Sequence, residues 1–156
     1  MKKISIVFAC IIISLTANAQ NKFACDGKEI DLTSFQFVEE VEDFFINRIY
    51  MKESDKDVQI AHVRNKDGAL YSYEIFTLPK AYFASKNKES YLKLTLVDDA
   101  VYSADIVIEP EKKVITCSSH SCGDDYWLED EPWTSITINL KTKEAAMKIL
   151  DALIKK

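Results

Sequence analysis

Apolar residues at helical spacing predict an α-helix over residues 34–51. Acidic residues occupy much of the opposite side, as expected of a helix that packs one face against a core. Thr33 and Gln36 have the spacing of a capping box, which would satisfy free amide groups at the start of this helix. The apolar stripe consists of Phe35, Val38, Val41, Phe45 and Ile49, with Phe44 beside it.

A second helix is predicted at the end of the chain, over residues 143–154. Thr142 is the expected N-cap, and Glu144 suits the positive end of the helix dipole. The stripe expected to be buried consists of Ala146, Ile149, Leu150 and Leu153.

Alternating apolar and polar residues predict β-strands between these two helices. Residues 58–64 and 69–78 flank Asn65-Lys66-Asp67-Gly68, a short loop that predicts a hairpin. Asp98-Asp99 is expected to be a turn. Further strands are predicted around residues 92–96, 102–108, 113–117 and 136–140.

This order of elements predicts an α+β fold. Strands that follow one another through tight turns, with helices only at the ends, indicate an antiparallel meander rather than a parallel sheet. We expect five to seven strands with an N-terminal and a C-terminal helix. The sheet would be either a single curved sheet or a partly closed barrel.

The first 19 residues have the three-part pattern of a cleavable signal peptide. Lys2 and Lys3 precede an apolar run over residues 4–15, and Ala17-Asn18-Ala19 supplies small residues before the cleavage point. The run is shorter than the roughly 20 residues that a spanning helix needs. We therefore predict a periplasmic or secreted protein, with no stable membrane insertion after cleavage and one globular domain over residues 20–156.

The predicted mature chain is acidic. Loss of the two leader lysines leaves 18 basic against 25 acidic residues, a net charge of about −7. Nucleic acids and anionic membranes are bound through clustered Lys and Arg, so neither is an expected partner. The charge fits solubility or a cationic protein partner.

Three cysteines remain after removal of the leader, in a compartment where disulfides persist. We favour a local bond between Cys117 and Cys122, with a bond from Cys25 to either one as the alternative. Cys117, His120 and Cys122 also have donor atoms suited to zinc or copper. Because oxidation would consume the thiols first, no bound metal is predicted, and a metal-binding protein centred on these three residues is an alternative.

No sequence motif predicts catalysis. The chain has only three glycines and contains no nucleophile elbow, zinc-protease helix motif or Gly-rich phosphate loop. No catalytic residue and no cofactor are therefore predicted. A small secreted hydrolase that uses His62 or His120 with nearby acids is a second alternative.

The segment over residues 123–133 combines five acidic residues with both tryptophans of the protein. Aromatic residues anchor many binding interfaces, and surrounding charge governs partner choice. The expected binding residues are Asp124, Asp125, Tyr126, Trp127, Glu129, Asp130 and Trp133. The sequence thus favours a small exported, non-enzymatic binding protein of the bacterial envelope. In its most specific form this is an inhibitor or immunity protein that neutralises a cationic enzyme through an acidic aromatic loop.

Overall fold

The computed structural model of the protein describes residues 21–25, 27–83, 92–97, 100–107, 111–123 and 127–154. The predicted leader and the predicted Asp98-Asp99 turn lie outside these ranges. Among the helices described, none has the length and apolar character needed to cross a membrane.

Within these ranges the chain is mostly β-structure, with a short helix in the middle and a longer one at the end. The elements are β1 (Lys22–Cys25), β2 (Lys28–Asp31), β3 (Gln36–Glu42), β4 (Ile46–Glu53), β5 (Asp57–Lys66), β6 (Ala69–Pro79), α1 (Lys80–Phe83), β7 (Leu92–Val97), β8 (Ala100–Val107), β9 (Ile115–Ser121), β10 (Trp127–Trp133), β11 (Ser135–Asn139) and α2 (Lys143–Leu153).

The described ranges contain eleven strands rather than the predicted five to seven, and these form three antiparallel sheets rather than one curved sheet or a barrel. β1 pairs with β2, the six-stranded sheet has the order β10-β9-β6-β5-β4-β3, and the third sheet has the order β11-β8-β7. The predicted pairing of successive strands is confirmed for β5 with β6 and for β7 with β8. The strands do not form one continuous meander, because β7 and β8 belong to the third sheet and β9 pairs with β6.

The hairpin between β5 and β6 has the turn chemistry that the sequence predicts. Lys66 pairs with Ala69, and Asp67 and Gly68 between them have φ of 52° and 80°. Two successive positive φ values are typical of a type I′ turn, whose twist matches that of the flanking strands.

The predicted helix over residues 34–51 is wrong, because this stretch forms β3 and β4. The expected capping residue, Thr33, lies in the preceding turn, where its backbone N–H donates to Asp31 Oδ1 at 2.8 Å. Ile49, Tyr50 and Met51 are all buried because β4 is covered on both of its faces. Burial on both faces removes the alternation that marks a strand, and a helical stripe can then be found among the remaining apolar positions.

Two hydrophobic clusters lie on opposite faces of the six-stranded sheet, as the alternation of side chains along a strand requires. The inner core joins β4, β5, β6 and β9 to β11 and α2. It comprises Ile49, Met51, Val58, Ile60, Phe76, Leu78, Phe83, Ile115, Cys117, Ile136, Ile138, Leu140, Ala145, Ala146, Ile149, Ala152 and Leu153. The hairpin core packs β1 and β2 on the other face. It comprises Phe23, Leu32, Tyr50, Ala61, Val63 and Tyr73.

The predicted C-terminal helix is confirmed as α2. Thr142 caps it, since its hydroxyl oxygen accepts from the backbone N–H of Ala145 at 3.2 Å. Ala146, Ile149 and Leu153 of the predicted stripe are buried in the inner core. The helix also meets β3, because the Lys148 ammonium donates to the Phe37 carbonyl at 3.0 Å.

Candidate functional site

The predicted acidic aromatic loop is in part a strand. Residues 124–126 lie outside the described ranges, and Trp127–Trp133 forms β10 at the edge of the six-stranded sheet. A bulge interrupts its pairing with β9 between Leu128 and Glu131, and Asp130 within it is exposed with φ of 46°. The Trp133 ring packs edge-on against Phe76, with 6.3 Å between ring centroids, and stays 37% exposed. Trp133 therefore both anchors the edge strand and presents apolar surface.

The disulfide joins Cys25 to Cys122, so the favoured bond between Cys117 and Cys122 is not formed. The physical reason is the alternation of side chains along β9. Cys117 points into the inner core, whereas residues 120 and 122 share the opposite face, against which β1 packs. The alternative bond from Cys25 is the one that the fold permits.

Cys117 is a buried free thiol rather than a reactive one. Desolvation raises the pKa of Cys117 to about 12, and the charges of Glu74 and Glu131 act in the same direction. A thiol must lose its proton to act as a nucleophile or metal ligand, so Cys117 is inert at neutral pH. The alternative metal site of Cys117, His120 and Cys122 is not assembled, because Cys117 lies on the opposite face of β9 from His120.

One face of the six-stranded sheet changes from apolar to polar along three neighbouring strands, one row later on β4 than on β5 and β6. On β4 the change runs from Ile49 to Asn47, on β5 from Ile60 to His62, and on β6 from Phe76 to Glu74. The register places His62 beside Glu74, one row beyond the core pair of Ile60 and Phe76. Ile49 of the inner core lies opposite His62, and beyond this row Asn47 and Arg64 line a polar depression.

This depression is a cleft of about 820 Å³, which we call the His62 cleft. The ends of β3 and β4 form one wall, β5 forms the floor, and the connection from β11 to α2 forms the other wall. The lining residues are Val41, Glu42, Asp43, Phe45, Asn47, His62, Arg64, Asn139, Leu140 and Lys141. Glu39 of β3 holds the connection from β11 to α2 in place, because its carboxylate accepts from the Lys141 backbone N–H at 2.6 Å.

Asn47 fixes the orientation of His62. The Asn47 side-chain nitrogen donates to the carbonyl oxygens of Val41 at 3.3 Å and Phe45 at 3.1 Å. This turns Asn47 Oδ1 toward His62 Nε2, 3.1 Å away. Because an amide oxygen only accepts, the hydrogen-bond network places a proton on Nε2.

The other ring nitrogen of His62 faces a carboxylate. His62 Nδ1 lies 3.4 Å from Glu74 Oε2, and Arg64 Nη2 lies 3.3 Å from the same oxygen. The hydrogen bond with His62 lowers the pKa of Glu74 from its usual value, and Arg64 adds to this effect, whereas burial opposes it. Both ring nitrogens of His62 therefore lie beside side chains of the neighbouring strands.

Aromatic side chains cluster beside the rim of the cleft. Phe45 stacks on Tyr71, with 4.8 Å between ring centroids and 30° between ring planes. Phe44 packs edge-on against Phe45 and is 73% exposed, the largest value among the exposed apolar side chains described. The Lys66 ammonium lies 4.9 Å from the Phe44 ring centroid. The turn between β3 and β4 thus presents an aromatic surface next to polar groups.

His120 lies away from this cleft, on the hairpin-core face of the sheet. It is 5% exposed, and its ring centroid lies 6.0 Å from that of Tyr73. Within the described ranges, His120 lies together with Cys25 and Cys122 in a group whose donor atoms are close enough to hold a metal ion.

Comparison of the chain with protein-family models, curated proteins and solved structures gave no match. Functional inference therefore rests on the geometry of the His62 cleft, of β10 and of the disulfide region.

Sequence reasoning singled out His62 but missed Asn47, Arg64 and Glu74, which surround it. A usable signal was present in the order Val58, Ile60, His62, Arg64, in which one face of a strand turns from apolar to polar. A single strand with this pattern only marks the edge of a core. The register of three strands is needed to show that the polar ends lie together.

Proposed function

We propose that the protein is an exported binding protein that holds a small polar ligand in the His62 cleft. The observation that carries the proposal is the position of His62 on the floor of a cleft of small-molecule size, held between Asn47 of β4 and Glu74 of β6. Ligand sites of about 300–1,000 Å³ with a few oriented polar groups are typical of small-molecule binding. The disulfide is consistent with export to an oxidising compartment.

The charges of the cleft favour a ligand with an anionic group. Arg64 uses one nitrogen to contact Glu74, and a guanidinium has five N–H donors, so donors remain for a ligand. Lys141 is exposed on the opposite wall. A carboxylate or phosphate between Arg64 and Lys141 would gain charge-assisted hydrogen bonds.

The remaining lining favours a ligand that also has an apolar part. Phe45, Val41 and Leu140 supply apolar contacts, and the exposed Phe44 extends them beyond the rim. Glu42 and Asp43 offer acceptors for a hydroxyl or ammonium group of the same ligand. The combined lining suits a molecule with opposite ends of different polarity.

We place binding above hydrolysis because of the contacts that His62 makes. A general base needs a free lone pair within hydrogen-bond reach of the proton that it removes. Asn47 and Glu74 engage both nitrogens of His62 from within the sheet. In this arrangement His62 orients the floor of the cleft.

Thermal unfolding in the presence of a compound panel tests the proposal. The panel contains amino acids, short peptides, mono- and disaccharides, and organic acids, each added to the purified protein. A ligand at about 100 times its Kd stabilises the fold by about 2.7 kcal/mol, which raises the melting temperature by several degrees. We expect one compound class to produce this shift, and Arg64→Gln to abolish it.

Lys56→Gln is the matched control, because it also removes one positive charge. Lys56 lies in the turn between β4 and β5, at the opposite end of β4 from Asn47. This variant should retain the ligand-induced shift. No response to any class, or an equal response in Arg64→Gln, would contradict the assignment of the cleft.

The edge strand β10 supports a second candidate function, an inhibitor or immunity protein that binds a cationic enzyme. An outer strand can pair with an extended segment of another protein, and aromatic anchors add affinity. Trp133 is partly exposed beside the acidic residues Asp130 and Glu131. This placement is compatible with the predicted acidic aromatic binding surface.

Mixing the protein with a cationic cell-wall hydrolase tests this second function. We expect a complex that weakens as salt is raised, and that weakens when Trp127 and Asp125 are replaced by alanine. Unchanged affinity in that double variant would show that the segment over residues 123–133 is not part of the interface. An affinity that does not change with salt concentration would show that electrostatic attraction does not determine the partner.

A further inference from the structure

Three metal-ligating side chains converge where β1 meets the end of β9. The sulfur atoms of Cys25 and Cys122 and a ring nitrogen of His120 all lie within 4.8 Å of one another. Cys25 is 3% exposed and His120 is 5% exposed, whereas Cys122 is partly exposed. In the present state the two sulfur atoms are bonded to each other.

The backbone holds two of these side chains in fixed positions. His120 and Cys122 are two residues apart, which places them on the same face at the end of β9. The Cys122 backbone N–H donates to the Tyr71 carbonyl oxygen at 2.8 Å, which ties this end to β6. Neither position depends on the disulfide.

Packing in the hairpin core holds the third side chain. Phe23 and Leu32, which flank Cys25 in the β1–β2 region, are 3% and 1% exposed. Phe23 packs edge-on against Tyr50 of the six-stranded sheet, with 6.2 Å between ring centroids. β1 therefore has contacts that persist when the sulfur–sulfur bond is broken, and Cys25 stays near Cys122.

We propose that reduction of the Cys25–Cys122 disulfide creates a binding site for one copper(I) ion, with Cys25, Cys122 and His120 as its ligands. Two thiolates and one imidazole are soft donors that select copper(I) over hard cations. Copper(I) is satisfied by three ligands, whereas a structural zinc site takes four. The proposal is independent of ligand binding in the His62 cleft.

The redox step balances with a dithiol as reductant. The dithiol supplies two electrons and two protons, the sulfur–sulfur bond breaks to give two thiols, and the reductant closes to its own disulfide. Copper(I) then displaces one proton from each thiol and takes the lone pair of a His120 ring nitrogen.

A small surface depression lies beside His120. Its volume is about 170 Å³, and His120, Ser119, Ser121 and Tyr73 are among its lining residues. A bare ion needs far less space than the organic ligands considered for the His62 cleft. Of the three ligands, Cys122 is the one that is partly exposed to solvent.

Copper(I) competition tests the proposal in a Cys117→Ala background, which removes the one free thiol of the described chain. The protein is reduced with dithiothreitol, freed of reductant without oxygen, and titrated with the coloured copper(I) complex of bicinchoninate. We expect one equivalent of copper to transfer to the reduced protein and none to the oxidised protein. Circular dichroism on the same samples reports whether the reduced protein stays folded.

Substitution of each ligand then separates this site from unspecific binding. Cys25→Ser should abolish the transfer, and His120→Gln should lower the affinity at least about tenfold, since loss of even an outer partner costs 10–100-fold. His62→Gln is the matched control, which removes the other imidazole and should bind copper as before.

Several results would overturn the proposal. Equal binding by the oxidised protein, by Cys25→Ser or by His120→Gln would show that the ligands are wrong. Unfolding on reduction would show that the site is not held by packing. Transfer of zinc in a parallel titration, with no transfer of copper(I), would show that the choice of metal is wrong.

Discussion

Removal of the Cys25–Cys122 disulfide is the perturbation with the largest effect that the structure predicts. We consider the double variant Cys25→Ala/Cys122→Ala, which cannot form this bond. A disulfide stabilises a fold mainly by restricting the unfolded chain, and the restriction grows with the length of the closed loop. This bond joins residues 97 positions apart.

The expected loss follows from that separation. The loop-closure relation gives about 4.7 kcal/mol for a loop of roughly 100 residues at 25 °C. The same relation gives about 2 kcal/mol for the loop of about five residues that a bond between Cys117 and Cys122 would close. The two pairings therefore differ by more than 2 kcal/mol in their contribution to the free energy of unfolding.

Urea denaturation at pH 7, with and without dithiothreitol, measures this contribution. We expect the double variant to lose 4–5 kcal/mol and to show no further loss on reduction. Cys117→Ala is the control: it should keep its sensitivity to reduction, because its disulfide is intact.

Two outcomes would refute this reasoning. If Cys117→Ala abolished sensitivity to dithiothreitol, Cys117 would be part of the bond. If the double variant lost less than about 1 kcal/mol, the long loop would already be restricted in the unfolded chain. Peptide mapping of the oxidised protein, which identifies the linked cysteines directly, would distinguish the two.

Three further predictions concern single positions. Glu74→Gln should cost about 1–3 kcal/mol at pH 7, because it removes the charged partner of His62. The pKa of Glu74 is lowered in the folded state, so the stability it contributes is present above its unfolded pKa and is lost as pH falls through its folded pKa. Urea midpoints measured at pH 7, 5 and 3 should therefore fall less in the variant than in the unchanged protein. Thr142→Ala should cost about 1 kcal/mol through loss of the cap on α2, with Ser135→Ala at an exposed strand position as the control; equal midpoints would contradict it. Gly68→Ala should cost about 1–2 kcal/mol in thermal unfolding, for conformational reasons alone, because φ is 80° and an added Cβ would meet no atom within 4 Å; an unchanged melting temperature would refute it.

Local chemistry explains why some elements could be predicted. The Asp67-Gly68 turn depends on two residues that tolerate positive φ, and the start of α2 depends on one hydroxyl and a nearby N–H. Each of these features is decided by contacts within a few residues. The sequence is therefore sufficient to predict them.

Two-sided burial explains the main error. β4 places Ile49 and Met51 in the inner core and Tyr50 in the hairpin core, so its apolar residues do not alternate with polar ones. Whether a strand has one buried face or two depends on the arrival of β1 and β2 on the far side of the sheet. No pattern within β4 itself contains that information.

The candidate site also combines a residue that the sequence could identify with partners that only the fold brings together. His62 was identifiable because histidine is uncommon in this chain, but its partners come from β4 and β6. Their approach depends on the register of three strands. Likewise, Cys25 is 97 residues from its partner, and only the packing of β1 brings it there.

By itself, the sequence determined the antiparallel character of the sheet, the hairpin between β5 and β6, the capped C-terminal helix and the acidic charge. These follow from preferences of the backbone and from neighbours along the chain. The tertiary structure alone decided the partner of Cys122, the strand conformation of residues 36–42 and 46–53, and the assembly of the His62 cleft. The physical reason is that alternation assigns side chains to one face or the other, whereas long-range packing decides what each face meets.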